Sequence, residues 1–406
     1  MNKRVLAVIV ASFSTIFVAY AIRYGYGVIL PEMLPSLAIS KTEAGVIFSS
    51  YFVAYTVFSP VLGLLSDRYD VRVILTLFPA ILGIGTFLMS RSLSLFNASF
   101  FFALAGIGAA ACWAPVMALA QRWVSEKRRG LSLAFIDIGS ALGITACSAF
   151  VPLVVVAHGW RMGWMSLGVL AFVIAGANFF LIRSYPEEKL EHRYRMPKKH
   201  AREPIALTYI SLLRDLKFWL LALSYLFIGF SILIPFTFVS TYAVQELTLS
   251  YEIAARLVTV MGITAIVGKL VLGPVSDIIG RIKVMMLCAA LVATGCLGIA
   301  YSERLLTLIL FTITFGFGYG AIWSMYAASA SDYFSKESAG TIVGLWVLYF
   351  GIGSILSPII AGWIGDITGT LSYSFILAMA AAVIALFFLA LVWRSSSSFP
   401  GRNHLL

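Results

Sequence analysis

The chain has 406 residues, 61% hydrophobic and 12% charged, with a formal net charge of +11. Soluble domains carry about 25% charged and 45–50% apolar residues, so a soluble enzyme, a disordered chain and a secreted disulfide scaffold are excluded. An integral membrane protein remains, in agreement with a mean hydropathy of +0.96. Its apolar runs are continuous over the ~20 residues a spanning helix needs, unlike the alternating ~10-residue strands of a barrel.

Breaking these runs at charge and turn clusters predicts six helices in the first half, over 5–30, 43–65, 72–90, 96–121, 130–156 and 163–183. Six more follow, over 217–245, 251–275, 283–301, 305–331, 339–363 and 371–393. The first run is too long for a signal-peptide core and is read as a retained helix. The polar stretch 184–216 links the halves, and Ile205, Ile210, Leu213 and Leu216 predict an amphipathic surface helix over 205–216. The expected organisation is an N-terminal bundle over 1–183, a linker over 184–216, a C-terminal bundle over 217–394 and a tail over 395–406. Cys112, Cys147, Cys288 and Cys296 lie in apolar runs and read as small buried hydrophobes.

Of the 29 Lys and Arg residues, 22 fall on the side of the termini, five on the other, and Arg23 and Lys269 fall within spans. By the positive-inside rule both termini are cytoplasmic. The expected location is a prokaryotic plasma (inner) membrane, crossed many times. This asymmetry accounts for the positive charge without a nucleic-acid partner. The basic linker is either solvated or in contact with anionic lipid headgroups.

One offset of 210 residues superimposes the halves. Gly63-Leu-Leu-Ser-Asp67 falls on Gly273-Pro-Val-Ser-Asp277. Gly106, Gly108 and Trp113 fall on Gly316, Gly318 and Trp323, and Ser125 and Gly130 on Ser335 and Gly340. Two six-helix units in the same orientation imply a parallel repeat about an axis along the membrane normal.

The run from Gly63 through Asp67 and Arg68 to Arg72 resembles the loop signature of the major facilitator superfamily, with a degenerate second copy at Gly273, Asp277, Gly280 and Arg281. The sequence departs from the signature at Asp70, where Gly is usual, and at Ile278, where Arg is usual. The resemblance implies an all-α fold of twelve transmembrane helices in two bundles, alternating access by a rocker switch, and a loop that locks the bundles. It also implies Arg122 as the partner of Asp67; the repeat counterpart of Arg122 is Asp332, so the second half cannot make the same pair. A narrower resemblance is to the monocarboxylate and oxalate–formate branch. It rests on Leu213-Arg-Asp-Leu-Lys-Phe-Trp219-Leu, Tyr242-Ala, Gly268-Lys269-Leu-Val-Leu-Gly273, Gly27-Val-Ile-Leu-Pro31 and Pro60-Val-Leu-Gly63.

Ionisable groups inside a span cost about 2.5–3.5 kcal/mol each on insertion scales, which marks them as functional candidates. Three qualify. Lys269 lies eight residues before Asp277, roughly 12 Å from the membrane edge. Resembling transporters carry an Arg there that pairs with a substrate carboxylate; Lys keeps the charge without the bidentate fork. Its alternative is to snorkel to water. Arg23, with Tyr24 and Tyr26 beside it, is either an anion ligand in the central cavity or a structural or snorkelling cation. Asp137, beside Gly139 and Gly143, is a proton carrier, a counter-ion to Lys269, or a packing residue. Glu252 and Arg256 are expected to pair along one helix face.

Tyr51, Tyr55, Tyr225, Tyr319, Tyr326, Tyr349, Trp113, Trp323 and Trp346 can each donate to an anion, though each also suits packing. Tyr24, Tyr326, Tyr349 and Trp323 are the preferred cavity wall. No nucleotide-binding loop, zinc helix or Ser-His-Asp set is found, so no enzyme activity, cofactor or metal is expected. The expected function is secondary transport of a small organic anion, a monocarboxylate first, coupled to protons and carried out by a monomer. In that reading an anion bridges Arg23 and Lys269. The alternatives are proton-coupled efflux of lipophilic cations or drugs, and a non-transporting receptor on the same fold.

Overall fold

The computed structural model describes residues 3–124, 129–185, 214–334 and 339–397. The predicted amphipathic helix lies outside them except for its last residues. The N-terminal half comprises α1 (Lys3–Leu37), α2 (Lys41–Arg68), α3 (Val71–Met89), α4 (Leu95–Ala109), α5 (Ala114–Trp123), α6 (Arg129–His158) and α7 (Trp160–Leu181). The C-terminal half comprises α8 (Leu216–Gln245), α9 (Tyr251–Ile279), α10 (Arg281–Ala300), α11 (Leu305–Tyr333), α12 (Ala339–Thr368) and α13 (Ser372–Ser397). They provide 12 spans, α4 and α5 forming one, Leu95–Trp123. An even number of spans leaves Lys3 and Ser397 on the same side.

Two elements differ from expectation. The first helix continues past Pro31 and Pro35 to Leu37, because proline is tolerated in a membrane helix whose neighbours satisfy the freed backbone. The fourth span, expected to be unbroken, is interrupted between Ala109 and Ala114, with Pro115 in the first turn of α5. A proline there cannot donate to the carbonyl of residue 111, and its ring crowds that carbonyl. At the same offset of 210 the second half carries Met325, and α11 is continuous. Elsewhere the halves repeat closely: adding 210 to the bounds of Arg129–His158 gives those of Ala339–Thr368.

The bundles meet along two seams, α2 with α12 and α6 with α9. On the side opposite the termini the first seam is tight. A Cβ on Gly45 would lie 2.3 Å from the Pro358 carbonyl oxygen, and one on Gly362 would lie 2.2 Å from that of Lys41. The Ser49 hydroxyl donates to the Ile355 carbonyl at 2.6 Å. Between the seams α1 touches α8 so closely that a Cβ on Gly27 would lie 1.9 Å from the Phe236 carbonyl oxygen. In the second seam the Thr259 hydroxyl donates to Ser148 at 2.9 Å. Toward the termini contact is lost: at Gly63, Gly273 and Gly344 an added Cβ would meet nothing within 4 Å. The molecule is sealed on one side and parted on the side of its termini.

Candidate functional site

Arg23 projects from α1 and is 4% exposed. Its guanidinium carbon lies 4.5 Å from the ring centre of Tyr55, 4.8 Å from Tyr20, and 5.4 Å from both Tyr51 and Phe52. Its Nε donates to the Tyr51 hydroxyl at 3.3 Å. The local sequence builds this seat: Tyr20 precedes Arg23 by three residues on α1, and Tyr51 and Tyr55 are one turn apart on α2, so each set shares a helix face. Cation–π contacts are worth about 2 kcal/mol when desolvated, but they leave the charge uncompensated. Among the described residues no carboxylate forms an ion pair with Arg23. A buried guanidinium with no acidic partner among the described residues has the chemistry to pair with an anion.

Lys269 behaves differently. Its ammonium crosses the α6–α9 seam to the Asp137 carboxylate, and it also donates to the Asp137 carbonyl oxygen at 3.3 Å. The two side chains are 15% and 17% exposed. Of the roles open to Asp137, the counter-ion is the one the geometry displays. The ammonium is held across the seam rather than snorkelling to the membrane edge.

The two cations also lie at different depths. Gly25 packs on Cys147 and Gly143 on Phe17, which sets Arg23 level with residues near 145 of α6. Lys269 is level with Asp137, about eight residues and on the order of 12 Å away along the normal. The expected bridge of one small anion between Arg23 and Lys269 is therefore absent from this conformation.

The aromatic candidates separate likewise. The Tyr319 hydroxyl donates to that of Tyr24 at 3.3 Å, joining the bundles. Trp323 packs on Phe350 at 5.0 Å and on Tyr225 at 5.5 Å. Tyr326 lies behind Tyr225, stacked at 4.2 Å, with its hydroxyl 2.8 Å from that of Ser224. Trp346 is buried and donates to the Phe218 carbonyl at 3.2 Å. Tyr349 is a correction: its ring packs on Trp219 at 6.0 Å, away from this cluster. Consecutive helical residues point about 100° apart, and the wall position falls to Phe350. Tyr20 and Phe350 escaped notice in the sequence. The three-residue spacing of Tyr20 from Arg23 was the available signal for the first; Phe350 offered none beyond its neighbour.

A family model, Major Facilitator Superfamily, matches residues 12–268 and 221–404. The chain belongs to that superfamily. It is 26% identical over 402 residues to the hexuronate transporter of Bacillus subtilis, covering 95% of this chain and 93% of that one. It is 27% identical over 296 residues to monocarboxylate transporter 12 of Xenopus laevis, covering 68% of this chain and 63% of the relative. Among solved structures it resembles a bacterial homolog of the human lysosomal transporter Spinster in an inward-facing, unoccupied conformation. The TM-score is 0.76 at 16% identity, over 98% of both chains.

In this superfamily member the signature-loop cations make contacts within their own bundles. Arg72 donates from Nε to the Phe179 carbonyl at 2.7 Å and lies 4.2 Å from that residue's ring. Arg122 donates to the Ser66 carbonyl at 3.2 Å and lies 5.0 Å from the Tyr185 ring; the Asp67 side chain, its expected partner, lies outside the described residues. Arg68 is exposed. The second half carries Asp332 at the position of Arg122. Arg281, at the start of α10, bridges Asp277 of α9 at 2.9 Å and Asp332 of α11 at 2.8 Å. Glu252 and Arg256 form no ion pair with each other.

Proposed function

We propose that this Major Facilitator Superfamily transporter carries a small organic anion, a monocarboxylate first, whose carboxylate is received by Arg23. The observation that carries this is a guanidinium buried at mid-membrane among rings and hydroxyls, without an acidic partner among the described residues. The names of the hexuronate and monocarboxylate relatives, both carriers of carboxylates, support it. A lipophilic cation would meet like charge at Arg23, which disfavours drug efflux.

With the termini cytoplasmic, the parted side faces the cytoplasm. An anion entering there reaches Arg23 past the Asp137–Lys269 pair. Asp137 takes the coupling proton in this reading: once neutral, it releases Lys269, and the α6–α9 seam is free to part. Differential affinity for the closed and parted states is what drives alternating access.

A thermal-shift screen of short carboxylates on the purified chain tests the anion site, with Arg23→Ala as the control. A hit that stabilises Arg23→Ala as much as the parent refutes it. The proton role is tested separately in proteoliposomes, where Asp137→Asn is expected to abolish accumulation driven by an imposed pH gradient. Full accumulation by that variant removes Asp137 from the coupling path.

A further inference from the structure

The rings around Arg23 close into a circuit that neither bundle could make alone. Tyr20 lies 5.9 Å from Tyr24, Tyr24 lies 6.4 Å from Tyr319, and Tyr319 lies 6.1 Å from Trp323. Trp323 lies 5.0 Å from Phe350, Phe350 lies 6.1 Å from Phe52, and Phe52 and Tyr20 both flank the Arg23 guanidinium. The circuit crosses between bundles twice, at Tyr24–Tyr319 and at Phe52–Phe350. No aliphatic side chain interrupts it. Its inner members are buried, whereas Tyr20 and Trp323 keep partial exposure.

Of the three hydroxyls within the circuit two are already occupied, and that of Tyr20 forms no hydrogen bond among the described residues. Those of Tyr24 and Tyr319 bond each other, and Tyr51 behind them accepts from Arg23. A polyhydroxylated anion needs polar partners for every hydroxyl it buries, and each unpaired one costs affinity. A planar apolar body needs none, and gains from ring faces and edges placed 4.5–7 Å apart between centroids.

We infer that the site prefers an organic anion with an aromatic body. Its carboxylate sits on Arg23, and its ring completes the circuit against Trp323 and Phe350. This rests on Arg23 as the carboxylate seat and adds the class of group attached to it. Because the second contact comes from the opposite bundle, such a ligand holds both bundles at once, which the separation of Arg23 from Lys269 denies to a small anion.

The test is calorimetric binding to the purified full-length chain in detergent, comparing benzoate with cyclohexanecarboxylate. These have the same charge and carbon count, and neither measurement depends on passive permeation. Benzoate is expected to bind roughly 2- to 12-fold tighter, the worth of one aromatic pair beyond area burial. Trp323→Leu is expected to bring the ratio to about one; Phe350→Leu serves if that variant does not fold. Tyr349→Leu, outside the circuit, is expected to keep the parent ratio. A parent ratio at or below one, or a preference that survives both circuit substitutions, overturns the inference. If carboxylates bind in an Arg23-dependent way without aromatic preference, only this inference fails. If no carboxylate depends on Arg23, the anion reading fails with it.

Discussion

Removal of the Asp366 carboxylate should unseal the closed side. A helix begins with four backbone N–H groups that lack intrahelical partners. At α2, Ser40 and Glu43 satisfy two of them reciprocally: the Ser40 hydroxyl accepts from Glu43 N–H at 3.1 Å and the Glu43 carboxylate accepts from Ser40 N–H at 2.8 Å. The other two point across the seam, where Asp366 of α12 accepts from Lys41 N–H at 3.0 Å and from Thr42 N–H at 2.8 Å. A carboxylate of one bundle thus caps a helix of the other, favoured also by the helix dipole. Loss of a cap costs about 0.5–2 kcal/mol, and here the cost falls on the closed state alone, since in the open state water takes over both donors. Asp366→Ala is therefore expected to shift the closed-to-open ratio by roughly 2- to 30-fold. Spin labels at Leu93→Cys and Tyr301→Cys, exposed sites on opposite bundles, would report this as a larger long-distance population. The four native cysteines are buried and interfere little. An unchanged distance distribution in Asp366→Ala refutes the reasoning.

Three further outcomes are expected. Asp137→Asn leaves the Lys269 ammonium without its counter-charge and should lower stability by up to about 3–5 kcal/mol, the scale for a fully buried pair; the double variant with Lys269→Gln should recover part of the loss in thermal unfolding, and strict additivity speaks against the pair. Gly27→Ala forces a Cβ onto the Phe236 carbonyl and should destabilise the sealed state by about 1–3 kcal/mol, read with the same label pair; an unaltered distribution contradicts the close approach. Arg281→Ala removes a half-exposed bridge and should change stability by less than about 1 kcal/mol; a larger fall in the unfolding midpoint assigns Asp277 and Asp332 more than a surface role.

Much of this was legible in the sequence, because membrane insertion writes its constraints in length and charge. Apolar runs of spanning length located each of the twelve spans, and the 210-residue offset gave the arrangement of the halves. Asp137 and Lys269 stood out because charge inside a span is costly, and the structure brings them together. The break before Pro115 was missed because most prolines in these helices interrupt nothing, as Pro31 and Pro35 show. Choosing Tyr349 over Phe350 was an error of one residue, and one residue turns a helix by more than a quarter of a circle. Polarity favoured the tyrosine; only the packing of α12 against α8 decides which ring turns inward. The relative depth of Arg23 and Lys269 depended on inter-helix register, which no single span contains.

The 210-residue offset also shows what the halves do not share. Carried across it, Lys269 corresponds to Ser59 and Asp137 to Val347. The two seams are thus alike in backbone and unlike in charge: one parts by giving up van der Waals contacts and hydrogen bonds, among them those the Asp366 carboxylate accepts from backbone N–H groups, the other by separating opposite charges or by taking up a proton. A frame that is two-fold in shape is in this way one-sided in its electrostatics, and the bundles cannot rock apart on both flanks by the same physical event.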